Sequence, residues 1–263
     1  MSNGTIATAR SAAATLPQTL DPEHRERIVL VDGASGWVQR TLGALSSRDD
    51  AVALVASPCP EDASALAPLA ARIVLDTTWG HSPALSTAAT QLRGQDCPLL
   101  EALCETEELP HRRLGEVLDV LDRLIGIAEL RIVLSDDDRL IASGTGTDGR
   151  RLRVTTVRTA RGTEGLRIRS IGPDSVLDLH LADDATAHPA RLTVADLAER
   201  RELRVPWETP SRSAWRHAVD LLDSPDDPNS AGSPDTGHDA PTDIERLLRI
   251  SRLLERASPS VPA

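Results

Sequence analysis

The sequence predicts an α/β protein in two parts, a parallel sheet wrapped by helices and then an α+β domain built on an open antiparallel sheet. Three observations predict it. Over residues 25–110, apolar runs of four to six residues alternate with helical segments, the pattern of a parallel sheet with helical crossovers. Beyond Gly126, apolar–polar alternation recurs between turn signals with no helix between, the pattern of antiparallel pairing. The chain has 263 residues, 40% hydrophobic and 26% charged, enough to bury a core in each of two subdomains.

Taken in order, Ile28-Val29-Leu30-Val31 is a β-branched strand bounded by Asp32-Gly33, and 36–46 is helical. A second strand runs from Ala51 to Ala56 with a helix from Glu61 to Ala71. A third runs from Arg72 to Thr77 with a helix from Pro83 to Arg93, and Pro98 to Leu103 forms a fourth strand of the same sheet. Any ligand of such a sheet belongs at the carboxyl ends of its strands. From Arg112 to Ile125, Leu114, Val117, Leu118, Leu121, Leu124 and Ile125 recur at helical spacing, and Gly126 is the stop. Strands follow at Ala128–Ser135, Arg139–Ser143, Arg150–Thr159, Gly165–Ile171, Ser175–Leu181 and Ala190–Val194. Leu152, Val154 and Val157 suggest that one face is solvated. A helix from Ser211 to Leu222, a Pro/Asp/Gly/Ser-rich mobile loop at 224–241 and an amphipathic helix from Thr242 to Ala257, capped by Thr242 or Asp243, complete the chain. Domains are therefore expected at 25–110 and 111–259, after a disordered lead at 1–24.

The net charge of −11 repels phosphate backbones and anionic lipid, so neither nucleic acid nor a membrane is an expected partner. No apolar run approaches the roughly 20 residues of a spanning helix. Cys59, Cys97 and Cys104 follow no metal-ligand spacing and cannot all pair, so no metal site and a reducing, cytoplasmic setting are expected. The chain has no Phe, no Tyr and no Lys, so all of its 29 basic side chains are Arg. A Lys Schiff base, a Lys or Tyr proton donor and a P-loop Lys are excluded.

The stretch Val31-Asp32-Gly33-Ala34-Ser35-Gly36-Trp37-Val38 follows the first strand and opens a helix, where a dinucleotide loop belongs. With Leu99-Leu100-Glu101-Ala102-Leu103, Leu114 to Gly126, and the turn Gly172-Pro173-Asp174-Ser175-Val176-Leu177, it makes the chain resemble the glucose–fructose oxidoreductase / inositol dehydrogenase (Gfo/Idh/MocA) family from about Arg27 to Ala257. The resemblance implies a Rossmann-like N-terminal domain, NAD or NADP as cofactor, hydride transfer to or from a small-molecule substrate, and a homodimer through the antiparallel sheet. It places the family's Gly-Ala-Gly-Gly-Trp-Gly loop on 33–38, its Glu-Lys-Pro strand end on Glu101-Ala102-Leu103, and its His-x-x-Asp pair on Glu116 and Asp119. Cofactor contacts then fall on Gly33, Ser35, Gly36 and Ser57.

The chain departs from that pattern. Ser35 stands where a glycine admits the pyrophosphate, and Val38 where a glycine lets helix and strand close up, so its β-branched side chain should push the helix outward. The second strand ends in Ala56-Ser57-Pro58, with no acid for a ribose; Glu61 and Asp62 lie in the next helix. The family's Lys is Ala102 and its His is Glu116. The stretch between Leu103 and Leu114 is shorter than in the family. The remaining acid–base candidates are Glu101 at the end of a buried strand, with a raised pKa or a salt bridge to Arg112 or Arg113; His81, as proton donor or as a solvated loop histidine; and Asp119, which with Glu116 shares one helix face. Cys104 near His111 is a candidate nucleophile, and Trp207 and Trp215 are read as packing groups. Two functions stand: a reductase of a small imine or carbonyl compound, close to the thiazolinyl imine reductase branch, or a pseudoenzyme binding a pathway protein in secondary metabolism.

Overall fold

The computed structural model describes residues 21–160, 164–182, 190–223 and 241–257. The predicted lead therefore lies outside the described residues up to residue 20, as does the predicted loop over 224–240. Residues 21–24, assigned to that lead, enter a short helix, α1 (Pro22–Arg27), whose N-cap Asp21 accepts from the Glu23 amide. The chain divides into two compact units, Met1–His81 with Thr209–Leu248, and Ser82–Glu208 with Arg249–Ala263.

The first unit holds β1 (Ile28–Asp32), α2 (Trp37–Leu45), β2 (Val52–Ala56), a 3-10 helix (Ser64–Arg72) and β3 (Ile73–Asp76). The strands pair in parallel in the order β1-β2-β3. Central β2 is buried at every position, which requires apolar layers on both faces. Ala53 and Val55 meet Trp37, Val38, Leu45, Leu66 and Ile244 on one side. Val52 and Leu54 meet Ala214, Trp215 and Ala218 of α5 (Pro210–Asp223) on the other. The segment predicted as a helix from Glu61 is the 3-10 helix beginning at Ser64 and containing Pro68; proline lacks the amide that an α-helical turn needs there. Val38 does not push α2 outward but joins its core face, 5% exposed.

In the second unit an eight-stranded sheet runs β11-β10-β9-β8-β4-β7-β6-β5. Its strands are β4 (Leu99–Thr106), β5 (Ile127–Ser135), β6 (Arg139–Gly146), β7 (Arg151–Arg158), β8 (Gly165–Ile171), β9 (Ser175–Ala182), β10 (Arg191–Asp196) and β11 (Arg200–Leu203). Helices α3 (Ala84–Arg93) and α4 (Pro110–Ile125) belong to the same unit. The fourth strand is thus not part of the parallel sheet. It lies between β7, to which it is parallel, and antiparallel β8. The reason is its alternation: Leu100, Ala102 and Cys104 are buried, while Leu103 and Glu105 face solvent and Glu101 is half-buried. A strand carrying two glutamates on one face cannot be covered on both. The division accordingly falls at 81/82 rather than 110/111, and α5 belongs with the first unit. Val157 has the wrong parity for the buried face of β7, which is Leu152, Val154 and Thr156. The last helix, α6 (Asp243–Ala257), begins in the first unit, and its residues from Arg249 group with the second.

Candidate functional site

The loop after β1 builds the start of α2. Gly36 is the N-cap in the left-handed region, φ 81°, a conformation that suits glycine. Gly33 is required by a close approach. Its amide donates to the Ala56 carbonyl at 2.9 Å and its carbonyl accepts from Cys59 at 2.7 Å. A Cβ there would stand 2.4 Å from the Ala56 and Ser57 oxygens. The Trp37 indole donates to the Cys59 carbonyl at 2.9 Å. The segment after β2, with Ser57 at φ 48°, is thereby folded onto the loop after β1.

That fold-back delivers Glu61 to the N-terminus of α2. Its carboxylate accepts from the Gly36 amide, with the Cys59 thiol 3.8 Å away. The Gly36 amide foremost holds its carboxyl below the usual carboxylate range. The helix end is where an anion is favoured, and here the anion is the protein's own. Arg40 completes the closure by donating to the Asp32, Ala34 and Ser35 carbonyls. Ser35 itself is exposed. The residues present therefore do not fit a dinucleotide. Its pyrophosphate requires the Gly36 amide that Glu61 occupies, Ser57 offers no carboxylate to a ribose, and β1 has β2 as its only strand neighbour among the described residues. A second strand beside β1 would form the crevice at which the strand order reverses.

The candidate acid–base groups are dispersed. His81 is a buried group, not a solvated loop histidine. Its Nε2 lies 3.0 Å from Asp243 Oδ2, the two side chains 8% and 5% exposed. Asp243 Oδ2 also accepts the Leu75 amide at 2.9 Å, and Oδ1 accepts from Arg246 at 3.2 Å. Beside them, Asp76 at the end of β3 accepts from Ser211 at 3.0 Å. Burial pushes Asp76 up to about 6, against the Ser211 hydrogen bond and the His81 charge. His217, expected in the second domain, sits with its ring 5.6 Å from that of His81. Glu101 does not end a buried strand. It lies within β4 on the solvent side, 3.8 Å from Arg153 rather than paired to Arg112 or Arg113. Asp119 and Glu116 are each engaged by an arginine, Arg123 at 3.2 Å from the first and Arg113 at 3.0 Å from the second. Cys104 is fully buried, and that burial raises its thiol to about 12, which rules out a thiolate nucleophile at neutral pH. Trp215 packs as expected; Trp207 is 75% exposed.

Sequence reasoning placed Glu61 in a helix. The signal that it would turn back was Pro58 and Pro60 before it and Pro68 after it, which leave no long α-helix. Asp243 was legible only as a cap.

No protein-family model matches the chain, and no curated protein is significantly similar in sequence. Its fold is shared with solved oxidoreductases. An aldose–aldose oxidoreductase from Caulobacter crescentus superposes with a TM-score of 0.59 at 13% identity, over 88% of this chain and 76% of that one. An oxidoreductase described as putative from Magnetospirillum magnetotacticum gives 0.59 at 17%, over 88% and 80%. A 3-ketoreductase from Actinomadura kijaniata, solved with NADP and TDP-benzene, gives 0.57 at 14%, over 83% and 71%. The chain thus has the two-part architecture of these oxidoreductases, a parallel-sheet domain joined to a large open sheet. No helix among the described residues is long and apolar enough to cross a membrane.

Proposed function

We propose that the chain is a non-catalytic binding protein on an oxidoreductase fold, serving a biosynthetic pathway by engaging a partner protein. The observation that carries this reading is the Glu61 carboxylate on the Gly36 amide at the start of α2. A pyrophosphate must displace it, giving up its hydrogen bonds and bringing like charges together. The absence of lysine and the engagement of His81, Asp119 and Glu101 by Asp243, Arg123 and Arg153 support the same reading. A general acid or base typically contributes about 10²–10⁴ in rate, and these three candidates are each held by an ion-pair partner.

The test is titration of the wild-type chain with NADH and NADPH, followed by fluorescence and calorimetry. The expected result is no saturation at millimolar nucleotide. Saturable micromolar binding would overturn the proposal and restore the reductase of a small imine or carbonyl compound. Glu61→Ala, titrated in parallel, locates the block: gained binding assigns it to the carboxylate alone. Continued refusal adds the closed Gly33–Cys59 backbone and the missing ribose acid.

A further inference from the structure

We propose that β1 is an open sheet edge that pairs with β1 of a second copy of the chain, joining two three-stranded sheets into one of six strands. The inference does not rest on the proposed function. The sheets present four edge strands, β1 and β3 in one and β5 and β11 in the other. An edge strand offers a row of unpaired amides and carbonyls to any strand that approaches, and folded chains blunt it with charge, irregularity or a cover. Three of these edges are blunted. β11 is four residues long and reads Arg200-Arg201-Glu202-Leu203. β5 shifts register twice against β6. β3 is covered at Leu75, whose amide donates to Asp243 Oδ2 at 2.9 Å.

β1 has none of these devices among the described residues. It reads Ile28-Val29-Leu30-Val31-Asp32, with no proline, no charge before its last residue and an unbroken register against β2. Its burial shows the open flank. Every residue of β2, and Ile73, Val74 and Leu75 of β3, is 3% exposed or less. In β1, Val29 and Leu30 are half-buried, the first packed against the core cluster on the α2 side and the second against the cluster on the α5 side. Successive side chains point to opposite faces, so the opening lies along the strand's free side and not over one face. An apolar strand between two helical layers is the pattern of a sheet interior, and β1 attains that only with another strand beside it.

The occupant follows from the same features. It must bring an apolar strand with helices on both faces, and a second copy brings that in its own β1. Two-fold symmetry makes the contact self-complementary. Centred on Leu30, an antiparallel ladder sets Leu30 against Leu30, Val29 against Val31 and Ile28 against Asp32 of the second copy; the first two are aliphatic cross-strand pairs, which stabilise a ladder. The charges agree. Arg27 precedes the strand and Asp32 ends it, so the antiparallel arrangement brings Arg27 of each copy alongside Asp32 of the other. A strand running in the opposite direction adds no second carboxyl end beside β1, and so builds no nucleotide crevice. The contact is also distinct from the solvent face of the eight-stranded sheet, through which the family resemblance implies a homodimer.

The experiment uses the full chain. Leu30→Cys is oxidised with copper–phenanthroline and read on a non-reducing gel. Opposed Cβ atoms in an antiparallel pair stand about 4.5–5.5 Å apart, near enough for a disulfide after a small adjustment. A cross-linked dimer is therefore expected, well above the level in wild type and in Gln39→Cys, an exposed position on α2. Sedimentation of wild type at about 100 μM should show association, and Leu30→Lys should raise the dissociation constant of one step about tenfold or more. Where Leu30→Lys melts far below wild type, the cysteine trap alone decides. Adding Leu103→Lys, on the solvent face of the eight-stranded sheet, should leave the Leu30→Cys cross-link intact. A wild-type monomer, cross-linking no stronger than that of Gln39→Cys, association unchanged in a folded Leu30→Lys variant, or a cross-link lost with Leu103→Lys would each overturn the proposal. A wild-type monomer that binds a fluorescein-labelled peptide copying Glu26–Gly33 would overturn the second copy as occupant and give the edge to a strand of another protein.

Discussion

At the scale of a single side chain, Asp76 gives the fold a testable pH dependence. Burial raises its pKa from 3.8 to about 6, so the folded state favours its neutral form. The stability this contributes is fully present below the unfolded value and is lost as pH rises through about 6. The displacement corresponds to about 3 kcal/mol. Asp76→Asn keeps a polar partner for Ser211 and removes the charge. It should gain on the wild type by up to about 3 kcal/mol above pH 7, with no advantage below pH 4; urea unfolding at the two pH values reads the difference. A constant difference across pH would show that the buried carboxyl does not titrate there. Cys104 makes a second test. Its thiol, pushed to about 12 by burial, should resist a thiol reagent at pH 8 in the native protein and react on unfolding, while half-buried Cys59 reacts first.

Among the elements, α6 shows how a local signal acquires a second use. Thr242 and Glu245 form a reciprocal cap: the Thr242 hydroxyl accepts from the Glu245 amide at 3.3 Å, and the Thr242 amide donates to the Glu245 carboxylate at 2.8 Å. This is the capping-box arrangement. Thr242→Ala should cost about 1 kcal/mol in urea unfolding; no loss would mean that packing of Ile244 already fixes the helix start. With Thr242 serving as the cap, Asp243 is left to turn inward. β4 teaches the complementary lesson. Its residues have strand propensity in either sheet, but alternating Glu101, Leu103 and Glu105 suit a sheet with one wet face.

Across the molecule, Asp243 links segments far apart in sequence. It accepts the Leu75 amide from β3, which has no strand beyond it in its sheet among the described residues, and it holds His81 and Arg246. Removing it leaves a buried amide, a buried histidine and a buried arginine without that carboxylate. Asp243→Ala should cost about 3–5 kcal/mol, read as a lowered melting temperature. Asp243→Asn should lose less, because it can still accept the Leu75 amide.

The alternation of short apolar runs and helical spacing was enough to determine the two-part α/β architecture, because burial on one face or two writes its period directly into the chain. Ile28–Val31, Leu114–Ile125 and the strands beyond Gly126 were legible for that reason. The position of Gly33 and Gly36 at a strand–helix turn was legible too, but not its use. In the folded chain the Gly36 amide meets Glu61, 25 residues further on. Only the tertiary structure decided that, as it decided which sheet takes β4 and that His81, Asp243, Asp76 and Ser211 meet. Propensity and periodicity describe neighbours along the chain, whereas hydrogen bonds and charges are satisfied by whatever the folded chain brings within about 3 Å.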